Sequence, residues 1–311
     1  MPTAGYTDTM TQNAYCDPPA GAPQHGCDGP PADWLVPDWP APAHVHALCT
    51  TRAGGVSSGA YASMNLGRHA GDAPQAVQAN HQRLAAALRS ITRSAHPIFL
   101  KQVHGSDCVQ LRADTVDGDA TYGAAADATV TSQPSLVCAI MLADCLPVLL
   151  TDPHGRVVGA AHAGWRGLAG GVLENFVQHF SPLAHADSAL EATETIAKSR
   201  RAEWLAWLGP CIGPRAFEVG AEVHAAFCAA DAPADAHFRP HGEGKFLADL
   251  AGLARRRLAR LGITQVYGND SSDAWCTVQQ SSRFFSHRRD GGVFAGDVGG
   301  TGRMAACIWL D

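Results

Sequence analysis

The chain has 311 residues, 46% of them hydrophobic and 17% charged, with a formal net charge of −6. That length suffices for one large core or two smaller ones, and the acidic balance excludes a globally polyanion-binding surface, so no nucleic-acid partner is expected. Ten cysteines without a C-x-x-C pair, no basic and apolar leader, and a longest apolar run (136–150) broken by Asp144 and Pro147 point to reduced thiols in a cytoplasmic protein that crosses no membrane.

Residues 1–31 are rich in Pro, Gly, Thr, Asn and Asp without periodicity and read as a mobile extension containing Cys16 and Cys27. Residues 34–42 (WLVPDWPAP) look like a segment pinned by its aromatics. Residues 44–52 alternate as a strand does, and Ala53-Gly54-Gly55 turns the chain. Residues 61–67 read as a loop. Val77, Leu84, Leu88 and Ile91 fall at helical spacing over 74–91, with Pro74 at the start. Residues 98–105 (IFLKQVHG) read as a strand, paired with 107–112, and Asp127 to Thr131 as another short strand.

Three apolar runs follow, 136–143, 147–151 and 156–163, the last two joined by the turn Asp152-Pro153-His154-Gly155. Leu168, Val172, Phe176 and Phe180 repeat every four residues and predict one amphipathic helix. Residues 181–203 read as a surface connection, 204–210 as a strand, 217–227 as a helix and 231–244 as a loop. Leu247 to Leu261 predicts a helix stopped by Gly262. Residues 263–268 read as a strand, 275–289 as mixed, and 304–310 as a terminal strand. Strands and helices intermingle without a repeat or long linker, so the expected architecture is a single α/β domain of mixed sheets flanked by helices, over 32–311.

The chemistry concentrates at strand ends between 136 and 171. Asp144-Cys145 interrupts an apolar segment, and His162 closes the third run just before Gly164-Trp165-Arg166-Gly167. Buried charge is costly unless paired or bound to metal, so a carboxylate, thiol, imidazole and guanidinium there mark a candidate active centre. His104, Cys145 and His162, 41 and 17 residues apart, carry the donor types of a three-ligand zinc site. Spacing alone leaves packed side chains and metal ligands as rival readings, and copper takes the same donors. Arg52 in TRAGG is the first candidate for phosphate, because its fork matches an oxyanion and the Gly pair lets backbone amides approach. Arg166 and Arg288 are further candidates. Asp144 is a candidate acid or base, or an orienter of a His ring. Gln102, Asn65, Trp165 and Phe285 are further candidates for contacting a substrate there.

KQVHG (101–105), ADCLPVLL (143–150), AAHAGWRGLAGGVLE (160–174), WLGPCIGPRAFEVG (207–220), FFSHRRD (284–290) and TGRMAACIWL (301–310) closely resemble the YfiH family, also called the polyphenol oxidase or laccase-domain family, which includes the peptidoglycan editing factor. The resemblance runs in order from Trp34 to Asp311. It implies the YfiH-like, cysteine-hydrolase-like fold and a zinc site made by His104, Cys145 and His162. It also implies phosphorolysis of adenosine, inosine and methylthioadenosine to free base and ribose 1-phosphate (or its methylthio analogue), together with adenosine deamination. For that substrate, Gln102 and Asn65 are candidates for reading base or ribose edges and Trp165 and Phe285 for stacking on the purine, and a monomer is expected. Cys211 and His287 depart from the pattern. The rival functions are a copper-dependent phenol oxidase, a hydrolase that edits peptidoglycan precursors, and a structural metal module with Cys138 or Cys211 as fourth ligand.

Overall fold

The computed structural model describes residues 29–114, 123–184, 194–291 and 300–311. Residues 1–28, which hold most of the predicted extension and both Cys16 and Cys27, lie outside the described residues. In chain order the elements are β1 (Val45–Cys49), α1 (Pro74–Ile91), β2 (His96–Phe99), β3 (Cys108–Gln110), β4 (Ala128–Thr131), β5 (Leu136–Leu142), β6 (Leu146–Thr151) and β7 (Val158–Ala163). Then come α2 (Trp165–Gly170), α3 (Val172–Ala184), α4 (Glu194–Arg201), β8 (Leu205–Leu208), β9 (Glu218–Gly220) and α5 (Ala221–Cys228). The chain ends with β10 (Phe238–Pro240), β11 (Lys245–Ala248), α6 (Leu250–Arg260), β12 (Gln265–Gly268), α7 (His287–Asp290) and β13 (Met304–Leu310).

Two sheets form the body, with strand orders β1-β13-β5-β2 and β12-β8-β6-β7-β4-β3; a small third sheet, β10-β11-β9, sits beside α5. The apolar runs are strands buried on both faces, which is why they read as continuous rather than alternating. Along β5, Val137 and Ala139 join Leu84 and Leu88 of α1 in one core, while Cys138, Ile140 and Leu142 face Leu149 and Ala160 of the second sheet in another. On that sheet's far side Val148, Leu150 and Ala161 pack against Phe176 and Phe180 of α3 and Leu253 of α6. The result is a layered order: helix, sheet, sheet, helices.

Several local expectations change for tertiary reasons. The strand predicted over 98–105 ends at Phe99, and β3 pairs in parallel with β4 rather than with β2, because the chain crosses between sheets over 100–107. The predicted single helix after Gly164 breaks at Gly171, whose φ of +95° a glycine adopts without strain, giving α2 and α3. The surface connection over 181–203 contains the end of α3 and all of α4. Residues 217–227 open with β9, residues 231–244 contain a 3-10 turn (Ala232–His237) and β10, and Leu247 belongs to β11, so that α6 starts only at Leu250. For β3, β9, β10 and β11, strand partners remote in sequence override local periodicity. By contrast, α1 spans 74–91 and β13 spans 304–310, as their patterns predict.

Candidate active site

The site lies where the chain steps from one sheet to the other. β5 ends at Leu142 in the first sheet, and β6 begins at Leu146 in the second. The connection turns on Asp144, held at φ +88°, a conformation that Asp tolerates better than most residues. Its carboxylate accepts the Thr277 hydroxyl and the Arg288 backbone N–H (2.6 Å), and its carbonyl accepts the Ile212 N–H at 2.9 Å. Asp144 therefore pins three loops around the step and makes no contact with a His ring.

β6 and β7 form an antiparallel hairpin in which Pro147 faces His162. That register sets Cys145 beside His162 and Gly164. A Cβ on Gly164 would lie 3.0 Å from Cys145 Sγ and 3.1 Å from the His104 ring, so glycine is needed there for space rather than for backbone conformation. The tight turn is fixed by Asp152, whose carboxylate accepts N–H bonds from His154, Arg156 and Val157.

His104 arrives from the loop after β2, at φ +60°. The device that curls this loop is Asp127, fully buried at the head of β4. Its carboxylate accepts the backbone N–H groups of Val103 (3.1 Å), His104 (3.0 Å) and Gly105 (2.7 Å), and His162 Nδ1 lies 2.8 Å from it. Burial pushes the Asp127 carboxyl up, but the His162 bond and the amide donors prevail and hold it below its ordinary value. With Nδ1–H given to Asp127, His162 turns Nε2 toward Cys145. The ring-orienting role considered for Asp144 thus belongs to Asp127. A lone carboxylate opening an apolar strand was the signal that could have found it, since such a charge requires partners.

The ligand atoms of His104, Cys145 and His162 all lie within 4.8 Å of one another, with Cys145 Sγ 3.8 Å from His104 Nε2. A tetrahedral zinc with bonds of about 2.0–2.3 Å separates its ligand atoms by roughly 3.3–3.8 Å. Two nitrogens and a sulfur at this spacing fit a zinc or copper ion. Burial raises the Cys145 thiol, but the charge of His162 and hydrogen bonds from both imidazoles more than offset it and bring it down to about 6. Neither Cys138 nor Cys211 joins this group: Cys138 lies within β5 opposite Ile308, and Cys211 Sγ accepts from Asn269. A closed four-ligand site with either is therefore not formed.

The trio opens on a cleft of about 980 Å³ lined by Gln102, Asp144, Trp165, Arg166, His287, Arg288 and Arg303 among others, a volume within the range of small-molecule sites. Arg166 is exposed and lies over the Trp165 ring at 4.5 Å. Arg288 donates to the Glu218 carbonyl from the rim. Gln102 lines the cleft, yet both ends of its amide are taken by the backbone of Met141. Asn65 is buried behind the wall, donating to Asp72 and accepting the N–H of Gly67 and of Arg303. It shapes the wall and does not face the cleft. Arg52 is also displaced from the expected role. Its guanidinium donates to the carbonyls of Ala62 and Ser281 and covers the ring of Phe285, and it does not line the cleft. Phe285 is fully buried. Arg303, not singled out in the sequence, reaches the cleft because Asn65 holds its backbone. Burial lowers its pKa, partly countered by the charges of Cys145 and Asp144.

Fold and site together define a mixed α/β protein with a His–Cys–His centre, suited to a transition-metal ion, at the base of an arginine-lined cleft. The chain belongs to the family described as multi-copper polyphenol oxidoreductase laccase, which it matches over residues 46–311. It is 46% identical to purine nucleoside phosphorylase YfiH of Escherichia coli over 89% of this chain and 98% of that one. A crystal structure of the Neisseria meningitidis protein NMB0706, 43% identical, superposes with a TM-score of 0.73 over 90% of this chain and 99% of that one. The structure of YlmD from Geobacillus stearothermophilus, 30% identical, gives 0.69 over 86% and 92%.

Proposed function

We propose that this chain is a zinc-dependent purine nucleoside phosphorylase of the cytoplasm, active as a monomer. Its substrates are inosine, adenosine and methylthioadenosine, and adenosine deamination is a second activity. The observation that carries this reading is the His104–Cys145–His162 trio opening on a cleft with arginines on its walls, in a chain so similar to proteins named purine nucleoside phosphorylase. In the reaction a phosphate oxygen bonds to the ribose C1′. The C1′–N9 bond breaks, its electron pair stays on the base, and the base takes up a proton. Arg166 and Arg288, with Arg303 deeper in the wall, supply positive charge for phosphate. Trp165 offers a ring face to the purine. Asp127 keeps His162 in one tautomer, and Asp144 holds the loops that close the cleft. His104, Cys145 and His162 would hold a zinc ion, which would supply Lewis acidity to the reaction.

The test is to incubate metal-analysed protein with inosine and with adenosine, with and without phosphate, and to identify the products by mass. Ribose 1-phosphate and free base should form only with phosphate, and His104→Ala, Cys145→Ala and His162→Ala should each abolish them while the far-ultraviolet circular dichroism is kept. Full activity in any one of the three overturns the reading. Copper at near stoichiometry with oxygen uptake would favour a phenol oxidase instead. A multi-copper relay, however, needs further imidazoles near the trio, and among the described residues only these three donors converge there.

One observation favours a second reading. Asp127, His162 and Cys145 are arranged as orienter, base and nucleophile, as a thiol hydrolase acting on cell-wall precursors would require. Hydrolysis that persists after the metal is stripped would select it, and a strain lacking the protein would then carry misincorporated serine in its muropeptides.

A further inference from the structure

A different cluster of donors lies on α5. His224 and Cys228 are four residues apart and therefore share one face of the helix. Cys228 Sγ is 3.5 Å from His224 Nε2. Asp235, from the 3-10 turn Ala232–His237, brings Oδ1 to 2.8 Å from the same nitrogen. All three ligand atoms fall within 4.8 Å of one another, and among the described residues only this group and the active-centre trio do so.

The imidazole is held in place by the small sheet. Phe246 of β11 stacks on it at 4.4 Å with planes 7° apart, and Phe238 of β10 meets it edge-on at 5.0 Å and 82°. In the plane so held, the ring presents Nε2 toward Cys228 and Asp235. A plain His–Asp surface pair would need neither the thiol nor the two phenyl rings. We propose that His224, Cys228 and Asp235 form a second site for a borderline divalent cation, zinc being the best fit. Sulfur, nitrogen and carboxylate oxygen together suit zinc and disfavour magnesium or calcium, which take oxygen alone. Nearby Asp231 is not a ligand, because Arg256 and Arg260 hold its carboxylate.

Binding replaces the hydrogen bond from Nε2 to Asp235 with metal bonds. The ring proton moves to Nδ1, and the thiol proton of Cys228 goes to solvent, so one proton is released per ion. His224 and Cys228 are half-buried, whereas Asp235 is exposed, so the fourth position faces water and the ion exchanges readily. The bound ion ties the C-terminal turn of α5 to the 232–237 turn.

The experiment strips metal from the full chain and titrates it with zinc and cobalt, reading bound metal by native mass spectrometry and the thiolate-to-cobalt absorption band. Wild type should bind two equivalents and Cys228→Ser one, with inosine phosphorolysis unchanged in Cys228→Ser. In Cys145→Ala, which lacks the first centre, one equivalent and one thiolate band should remain. Adding His224→Ala or Cys228→Ser should abolish that band and weaken zinc binding by more than about tenfold. A wild-type stoichiometry of one that Cys228→Ser leaves unchanged, no thiolate band in Cys145→Ala, or a band in Cys145→Ala that survives the added Cys228→Ser overturns the proposal.

Discussion

At the scale of single residues, the centre depends on one buried carboxylate that touches no substrate. Asp127 meets four donors, three from the loop that carries His104 and one from His162. Asp127→Asn keeps the shape but turns an amide donor toward two of them, since each carboxylate oxygen serves two donors. The expected result is a loss of about 10–100-fold in zinc affinity and in phosphorolysis, with a folded circular dichroism spectrum. The thiol itself can be followed in metal-stripped protein. With its pKa near 6, Cys145 remains thiolate above that pH and gains a proton as the pH falls through it, whereas an ordinary thiol does so near about 8.5. The rate of alkylation by iodoacetamide should therefore hold steady from neutral pH down to about 6 and fall below it. A rate that falls already from pH 8 would show that the two imidazoles do not face the sulfur.

At the scale of elements, the site is a consequence of register. The β6–β7 hairpin, closed by Asp152, decides that Cys145 and His162 are neighbours. Their Cα order along the chain could not decide it, since a one-residue slip would turn both side chains to the opposite face. Arg52 works at this scale too. It joins the loop at Ala62 to the loop at Ser281. Arg52→Ala is expected to lower stability by about 1–2 kcal/mol in urea unfolding, with the KM for phosphate unchanged. A raised phosphate KM at wild-type stability would return Arg52 to the site.

At the scale of the whole molecule, two sheets packed face to face between helical layers are joined by several chain crossings, and two of them, over 100–107 and 143–145, bring His104 and Cys145 to one site. The loop after β2 brings His104 to it, and the arginines of the cleft arrive on α2 (Arg166), on α7 (Arg288) and on the segment just before β13 (Arg303). The family match begins at residue 46, and the Escherichia coli relative aligns over 98% of its own length to 89% of this chain. Removing residues 1–28 is therefore expected to leave phosphorolysis and melting temperature unchanged, as a thermal scan and product assay of the shortened chain would show. No helix among the described residues is long and apolar enough to cross a membrane.

What the sequence alone determined was local. α1 followed from the spacing of Val77, Leu84 and Leu88 behind Pro74. β5, β6, β7 and β13 followed from apolar runs, and the candidate donors His104, Cys145 and His162 were read from polar residues at the ends of such runs and from the motifs around them. Tertiary structure decided everything that rests on partners far along the chain: the pairing of β3 with β4, the short strands β9 and β10 inside stretches that read as helix and loop, and the roles of Asp127, Asn65 and Arg52. The physical reason is the same in each case. A periodicity reports which face of a segment is buried, whereas a carboxylate, an amide or a guanidinium is defined by the donors and acceptors that folding brings to it, and no spacing in the chain records those.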